Sequence, residues 1–289
     1  MSYIDLYKGQ VSLGQYDLPQ HVTGRSSIYR LNRAVRKGGN GVVFAASAVG
    51  ANRASGQPFA VKLLRQQEPS RIDRFKNEVR VIRELSSANI AQYIDDGEIS
   101  AGDYTVPWVA MDLGDCNMRE EIQSFGKLSI ARLKMLVPQV CAAIEHLHSK
   151  NFIHRDIKPE NFVWKNDKKA ELLMIDFGIA KRLDEDVSGR PLDNFTKAME
   201  FVGPVFFSSP ELIAYSGNKL HPVDFRSDIF QLGKLIWYFA TGTISAGVPS
   251  KRDCPAEGAL QSIVLDMIHD HPDDRIQSVK EVAERVAGL

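Results

Sequence analysis

The sequence predicts an α+β chain of two lobes, a small β-rich N-terminal lobe carrying one helix and a larger helical C-terminal lobe. Three observations predict it. Short runs of β-formers, Val42-Val43-Phe44 and Phe59-Ala60-Val61, flank a turn rich in Gly, Ser and Asn from Gly50 to Gly56. One amphipathic stretch, Arg71 to Leu85, then places Ile72, Phe75, Val79, Ile82 and Leu85 on a single face. Beyond Gly114 the pattern turns helical. Leu133, Val137, Val140, Ile144 and Leu147 recur at alternating steps of four and three, as on the buried face of a long helix.

A chain of 289 residues has room for a sizeable core and for both lobes. Its formal net charge of +0 gives no global field toward nucleic acid or an anionic membrane. Three cysteines, Cys116, Cys141 and Cys254, lack metal-ligand spacing and read as free thiols of a reducing compartment. Met1 to Gln20 has no basic stretch followed by an apolar one, so no secretory signal is expected. The apolar run Leu235 to Ala240 is too short to span a bilayer. The expectation is a soluble cytoplasmic protein, with signal-free export left open.

In chain order, residues 1–27 hold Gly9, Gly14, Pro19 and Gly24 with little periodicity, and are expected to be an N-terminal extension. Residues 28–113 form the first lobe, with Trp108-Val109-Ala110-Met111 as its last strand, and 114–289 form the second. Their boundary falls near Asp112 to Asp115. In the second lobe the helix through Leu133 leads to His148, and Pro138 should bend it or remove a backbone bond. Another helix covers Asp228 to Ala240, and shorter ones fill 260–269 and 278–287.

The chemistry is concentrated in His154-Arg155-Asp156-Ile157-Lys158-Pro159-Glu160-Asn161, followed twenty residues after Asp156 by Asp176-Phe177-Gly178. Phosphoryl transfer from ATP needs one carboxylate to accept the hydroxyl proton of the acceptor. A second carboxylate and an amide oxygen must hold the Mg²⁺ that neutralises the phosphates. Asp156 suits the first task, and Asn161 and Asp176 the second, while Lys158 on the same loop can steady the γ-phosphate. Upstream, Gly38-Gly39-Asn40-Gly41 lies between two strands, where glycines let backbone N–H groups approach phosphate oxygens and supply φ values other residues resist. Lys62 alternates with Val61 and Leu63 to the opposite strand face.

The paired loop motifs closely resemble those of eukaryotic-type (Hanks-type) Ser/Thr protein kinases, and the glycine spacing is similar to that of bacterial members. The resemblance runs from about Tyr29 to about Val286 and implies the bilobal protein-kinase fold. It implies that Gly38, Gly41 and Val43 belong to the phosphate loop, with Arg36 where a first glycine usually stands. Lys62 would pair with the α- and β-phosphates and be oriented by Glu78, in preference to Glu68 or Glu84. Val43 and Ala60 would cover the adenine, Val163 would lie below it, and Met111 would guard the back of the pocket. The backbone of Asp112 and Leu113 would read the adenine edge, and Asn117 or Asp115 would reach the ribose.

Other positions are implied to be scaffold: an ion pair of Glu211 with Arg275, and Asp228 as anchor of the catalytic loop. Pro204 and Phe207 replace a threonine and a tyrosine of the family pattern. Arg155 is where such enzymes commonly receive an activation-segment phosphate. Glu200 stands at the usual phosphosite and would supply a permanent charge, with Thr196 or Ser188 as the alternative points of control. The leading expectation is therefore transfer from ATP to Ser/Thr hydroxyls of an unknown protein substrate, lysine 158 favouring these over tyrosine. A nucleotide-binding scaffold without turnover is the alternative, resting on Arg36 and Pro204. A small-molecule kinase of the same fold fits less well with Lys158-Pro159-Glu160 and Ser209-Pro210-Glu211.

Overall fold

The structure, a computed structural model, describes residues 2–49, 58–183, 204–217, 223–245 and 258–289. The expected turn from Gly50 to Gly56, and Cys254, lie outside the described residues. The chain divides into two units, Met1–Ser86 with Ala91–Gly114, and Ser87–Ile90 with Asp115–Leu289.

The first unit opens with the antiparallel pair β1 (Ser2–Lys8) and β2 (Val11–Leu18). Then come β3 (His21–Thr23), β4 (Ile28–Lys37), β5 (Gly41–Val49), β6 (Phe59–Leu64), helix α1 (Pro69–Glu84), β7 (Tyr93–Ala101) and β8 (Tyr104–Asp112). The last six strands form one sheet in the order β3-β4-β5-β6-β8-β7. Residues 1–27, set apart by sequence as an extension, are thus largely strand, and Ile4 and Leu6 bury one face of β1 by strict alternation. These two join Val42, Phe44, Val61, Leu63, Trp108 and Ala110 in a single apolar core. One sheet face is thereby covered by the β1–β2 pair.

Register decides what the other face carries. Val43 pairs with Lys62, Lys62 with Val109, and Ala60 with both Ala45 and Met111, so these side chains share the face opposite the core. Helix α1 packs against β7 and β8 with Phe75, Val79, Val81 and Ile82 buried.

In the second unit, α2 (Met118–Phe125) is closed by a capping box between Asn117 and Glu120. Helix α3 (Ile130–Ser149) buries the five residues of the predicted stripe and continues through Pro138. Short strands follow: β9 (Phe152–Ile153), β10 (Phe162–Trp164), β11 (Leu172–Met174) and β12 (Lys181–Arg182). Helices α4 (Pro210–Gly217), α5 (Phe225–Thr241), α6 (Gly258–Met267) and α7 (Val279–Ala287) complete it. Every residue of α5 from Ser227 to Ala240 is buried, as in a helix surrounded by protein. Gly233 permits this, since a Cβ there would lie 2.8 Å from Ile268 and 2.9 Å from Met267. Among the described residues no helix is long and apolar enough to cross a membrane.

Asp95 ties the segment before β4 to β7. It is 1% exposed and accepts bonds from the N–H groups of Arg25, Ser26, Ser27 and Asp96, from the Ser26 hydroxyl and from the Tyr29 hydroxyl. Burial pushes its carboxyl up, but the donors of Ser26, Asp96 and Arg25 outweigh this and hold it below the ordinary aspartate value. The sign follows from that depression: the stabilisation is present above the unfolded value of about 3.9 and is lost as pH falls through the lower folded value. Asp95→Ala should cost about 2–3 kcal/mol at neutral pH in urea unfolding, and the deficit should shrink below pH ~4. Equal stability of variant and wild type at pH 7 would contradict this role.

Candidate active site

In the first unit the glycine-rich turn joins β4 to β5. Gly38 donates its N–H to the Gly41 carbonyl at 2.9 Å. One sequence-based reason for these glycines needs correction: none of Gly38, Gly39 and Gly41 lies in the left-handed region. Gly41 is required for space instead, because a Cβ would come 2.9 Å from the Leu63 carbonyl oxygen on β6.

Lys62 projects from the face shared with Val43, Ala60 and Met111, and its Nζ donates to Glu78 Oε1 at 2.5 Å. Glu78 is 3% exposed in the middle of α1, whereas Glu84 is exposed and Glu68 sits at the N-cap. A buried glutamate on the apolar face of a helix costs desolvation that this lysine offsets. At the end of β8, the Asp112 N–H is donated to the Gln92 carbonyl and the Asp112 carboxylate accepts from the Gln92 N–H. Of Asp112 and Leu113, only Leu113 therefore has its backbone N–H to offer a ligand.

In the second unit the loop 154–161 is built around Asp156. Both its carboxylate oxygens accept from Lys158 Nζ at 2.8 Å. Asn161 Nδ2 donates to the Asp156 carbonyl at 2.8 Å and to its Oδ2 at 3.2 Å. That orients the amide so that its oxygen faces away from Asp156. The Ile175 N–H donates to the Asn161 carbonyl at 2.8 Å, joining this loop to Asp176. Val163 lies on β10, opposite Leu173, with 3% exposure. Burial lowers the Lys158 ammonium, but Asp156 first and then Asp176 and Glu160 more than offset it, so its pKa lies above the ordinary lysine value.

Two residues of these loops hold left-handed backbone without being glycine: Arg155 at φ 64° and Asp176 at φ 69°. Such conformations cost of order 1–3 kcal/mol and persist where surroundings fix them. For Arg155 the fixing groups come from α5. Asp228 accepts the N–H groups of His154 and Arg155 at 2.9 Å, and His148 Nε2 lies 2.8 Å from it. Gln231, one turn along, accepts from the Ile157 N–H at 2.9 Å and donates to the Arg155 carbonyl at 3.0 Å. Its amide thus clamps both sides of Asp156.

A model of the protein kinase domain matches residues 29–286. The chain belongs to the protein kinase domain family. Its curated relatives include a probable serine/threonine-protein kinase PknB of Corynebacterium glutamicum, 27% identical over 90% of this chain and 42% of the relative. The serine/threonine-protein kinase PknB of Mycolicibacterium smegmatis is 26% identical over 91% of this chain and 43% of its own length. A probable serine/threonine-protein kinase of Streptomyces coelicolor is 28% identical, with 91% and 40% covered. The chain spans about two fifths of the length of these relatives.

The kinase-domain scaffold pair is present. Arg275 Nη1 and Nη2 meet Glu211 Oε1 and Oε2 at 2.7 and 2.8 Å, and Arg275 also donates to the carbonyls of His269, Asp270 and Arg226. Phe207, which stands where the family has tyrosine, is buried edge-on against Tyr238. The Arg155 guanidinium donates to the Ile179 carbonyl at 2.7 and 2.5 Å. Glu200, Thr196, Ser188 and Gly203 lie outside the described residues. Of the two ribose candidates, Asn117 is 5% exposed with its oxygen taken by the Glu120 N–H, and Asp115 is exposed.

Sequence reasoning missed Gln231, although it was discoverable as an uncharged polar residue three positions after Asp228 inside an apolar run. Gln231→Leu should strand the Ile157 N–H and Arg155 carbonyl at a cost of about 1–3 kcal/mol. Hydrogen exchange at the Ile157 amide should accelerate accordingly, and unchanged exchange there would refute the clamp.

Proposed function

We propose that this domain is an ATP- and Mg²⁺-dependent protein kinase that phosphorylates serine or threonine hydroxyls of a protein substrate. The observation that carries the proposal is the Asp156 carboxylate, gripped through both oxygens by Lys158 and backed by Asn161. The names of the bacterial relatives, serine/threonine-protein kinases, support the same reading.

Asp156 accepts the proton as the acceptor hydroxyl oxygen bonds to the γ-phosphorus, and the bond from that phosphorus to the ADP oxygen breaks. Lys158, held charged by its carboxylate neighbours, steadies the transferred group. We assign the α- and β-phosphates to Lys62, oriented by Glu78, and to backbone N–H groups between Gly38 and Gly41. Adenine contact falls to Val43, Ala60, Met111 and Val163, with the carbonyl of Asp112 and the N–H of Leu113 reading its edge.

Asn161 and Asp176 supply an amide and a carboxylate oxygen, hard donors suited to Mg²⁺. Among the described residues no group of three or more His, Cys, Asp or Glu could hold a metal alone. This pair fits an ion whose remaining ligands are phosphate oxygens and water, and when bound the ion neutralises phosphate charge. The reading also puts the domain in the cytoplasm, where the thiols of Cys116 and Cys141 stay reduced.

Labelled ATP with Mg²⁺ and a Ser/Thr peptide, followed by phosphoamino-acid analysis, tests the proposal. Wild type should yield phosphoserine or phosphothreonine. Asp156→Asn should keep mant-ATP affinity and lose transfer by about a hundredfold or more. Asp176→Asn should also weaken Mg²⁺-dependent nucleotide binding. Lys62→Met should cripple transfer, Glu78→Gln less so, and Glu84→Gln not at all. Nucleotide binding by wild type without any transfer would establish the scaffold reading instead.

A further inference from the structure

The glycine-rich turn is held from behind by a strand outside the matched kinase-domain residues 29–286. β1 lies alongside the segment after β6: the Tyr7 N–H donates to the Arg65 carbonyl at 3.0 Å, and the Gln67 N–H to the Tyr7 carbonyl at 2.7 Å. Arg65 is 6% exposed, with its guanidinium 4.8 Å from the Tyr7 ring centroid. Its Nε donates to the Asp5 carbonyl at 3.0 Å, and its Nη1 to the Gly38 carbonyl at 2.8 Å. Asp5 Oδ2 in turn holds Lys37 Nζ at 2.6 Å and lies 3.4 Å from Arg65 Nη2.

The same segment reaches the rest of the turn. The Arg65 N–H donates to the Asn40 carbonyl at 2.8 Å, and Gln66 Nε2 to the carbonyls of Gly39 and Gly9 at 3.3 Å. Three consecutive carbonyls, those of Gly38, Gly39 and Asn40, are therefore drawn toward Arg65 and Gln66. In a planar trans peptide the N–H of the next residue points opposite to the carbonyl. Drawing those carbonyls back aims the N–H groups of Gly39, Asn40 and Gly41 away from Arg65 and Gln66, where they are left to meet phosphate oxygens. The Lys37 bond first, and the Gln15 bond after it, hold the Asp5 carboxyl below its ordinary value, so it stays charged at neutral pH.

We propose that β1 is a built-in strap on the glycine-rich loop, with Arg65 as the positioning residue: through Asp5, Lys37 and Gly38 it fixes the peptide orientation that grips the phosphates of ATP. This rests on the ATP-binding reading of the loop. A kinase domain reduced to its matched residues would lack that grip.

The full chain should be compared with Asp5→Ala, Arg65→Met and Arg65→Lys, with Asp17→Ala on the exposed part of β2 as control. Mant-ATP affinity, the KM values for ATP and for peptide, and amide exchange at residues 37–41 are the readouts. Asp5→Ala and Arg65→Met should weaken nucleotide binding by about tenfold and raise the KM for ATP alike, with the KM for peptide unchanged. Exchange should accelerate at 38–41 while amides of α3 keep their protection. Arg65→Lys, which cannot span Asp5 and Gly38 together, should rescue only in part. Wild-type affinity and exchange in both Asp5→Ala and Arg65→Met would overturn the strap. So would Arg65→Met losing protection throughout the first unit while Asp5→Ala matched wild type, since Arg65 would then be structural only. If wild type itself bound no nucleotide, the kinase reading would fall, which is a separate outcome.

Discussion

The arrangement around Asp228 is the constraint on which the second unit's chemistry depends. A fully buried carboxylate is tolerated only when donors converge on it. Here the N–H groups of His154 and Arg155 and the His148 ring do so. Burial raises the Asp228 carboxyl, but the His148 ring and then the His154 backbone N–H outweigh it, so the group stays ionised. His154 is held neutral mainly by its own burial, against the raising influence of Asp228, Asp156 and Asp176. A neutral ring is what lets its Nδ1 accept the Asp156 N–H at 3.2 Å. Left-handed Arg155 follows from this: its N–H, its carbonyl and its guanidinium are each held by a different partner. Asp156 is then presented by a backbone that has no slack.

The first unit solves a comparable problem with different residues. Glu78 and Arg65 are both buried charges, and each meets an opposite charge, Lys62 and Asp5. The two sheet faces divide the work. One face, shared by Ile4, Leu6, Phe44 and Trp108, is the apolar core, and the other carries Val43, Ala60, Lys62 and Met111, the side chains proposed above to meet the nucleotide. A one-residue slip of β6 would exchange Lys62 for an apolar neighbour, so register and chemistry are the same constraint.

Much of this was legible in the sequence because the informative residues are neighbours along the chain. The loop from His154 to Asn161 and the Asp176 motif carry their spacing in one short string each, and the α3 stripe needs only its period. Glu78 was separable from Glu84 by helix phase, because Phe75, Val79 and Ile82 mark the buried face. What stayed hidden depends on partners far away in the chain. Asp95 finds its donors about seventy residues upstream, Arg65 meets Asp5 sixty residues away, and Gln231 meets Ile157 seventy-four residues away. No local pattern separates such a residue from a solvated loop acid or a surface arginine. Residues 1–27 were obscured by turn residues such as Gly9 and Gly14, although Ile4 and Leu6 alternate. Gly41 shows the converse, a correct residue with the wrong reason, since its close neighbour on β6 is visible only in three dimensions.

A buried carboxylate on α5 sets the backbone of the loop 154–161 and thereby the placement of Asp156. Asp228→Asn tests it most directly, because the substitution preserves shape but turns an amide NH₂ toward backbone N–H donors. Transfer to a Ser/Thr peptide, mant-ATP affinity and amide exchange at His154 and Arg155 should be measured on that variant together. Transfer should fall by about one to two orders of magnitude, equivalent to about 1.4–2.7 kcal/mol, with faster exchange at both amides and nucleotide affinity retained. Wild-type transfer with wild-type protection of His154 and Arg155 would contradict it.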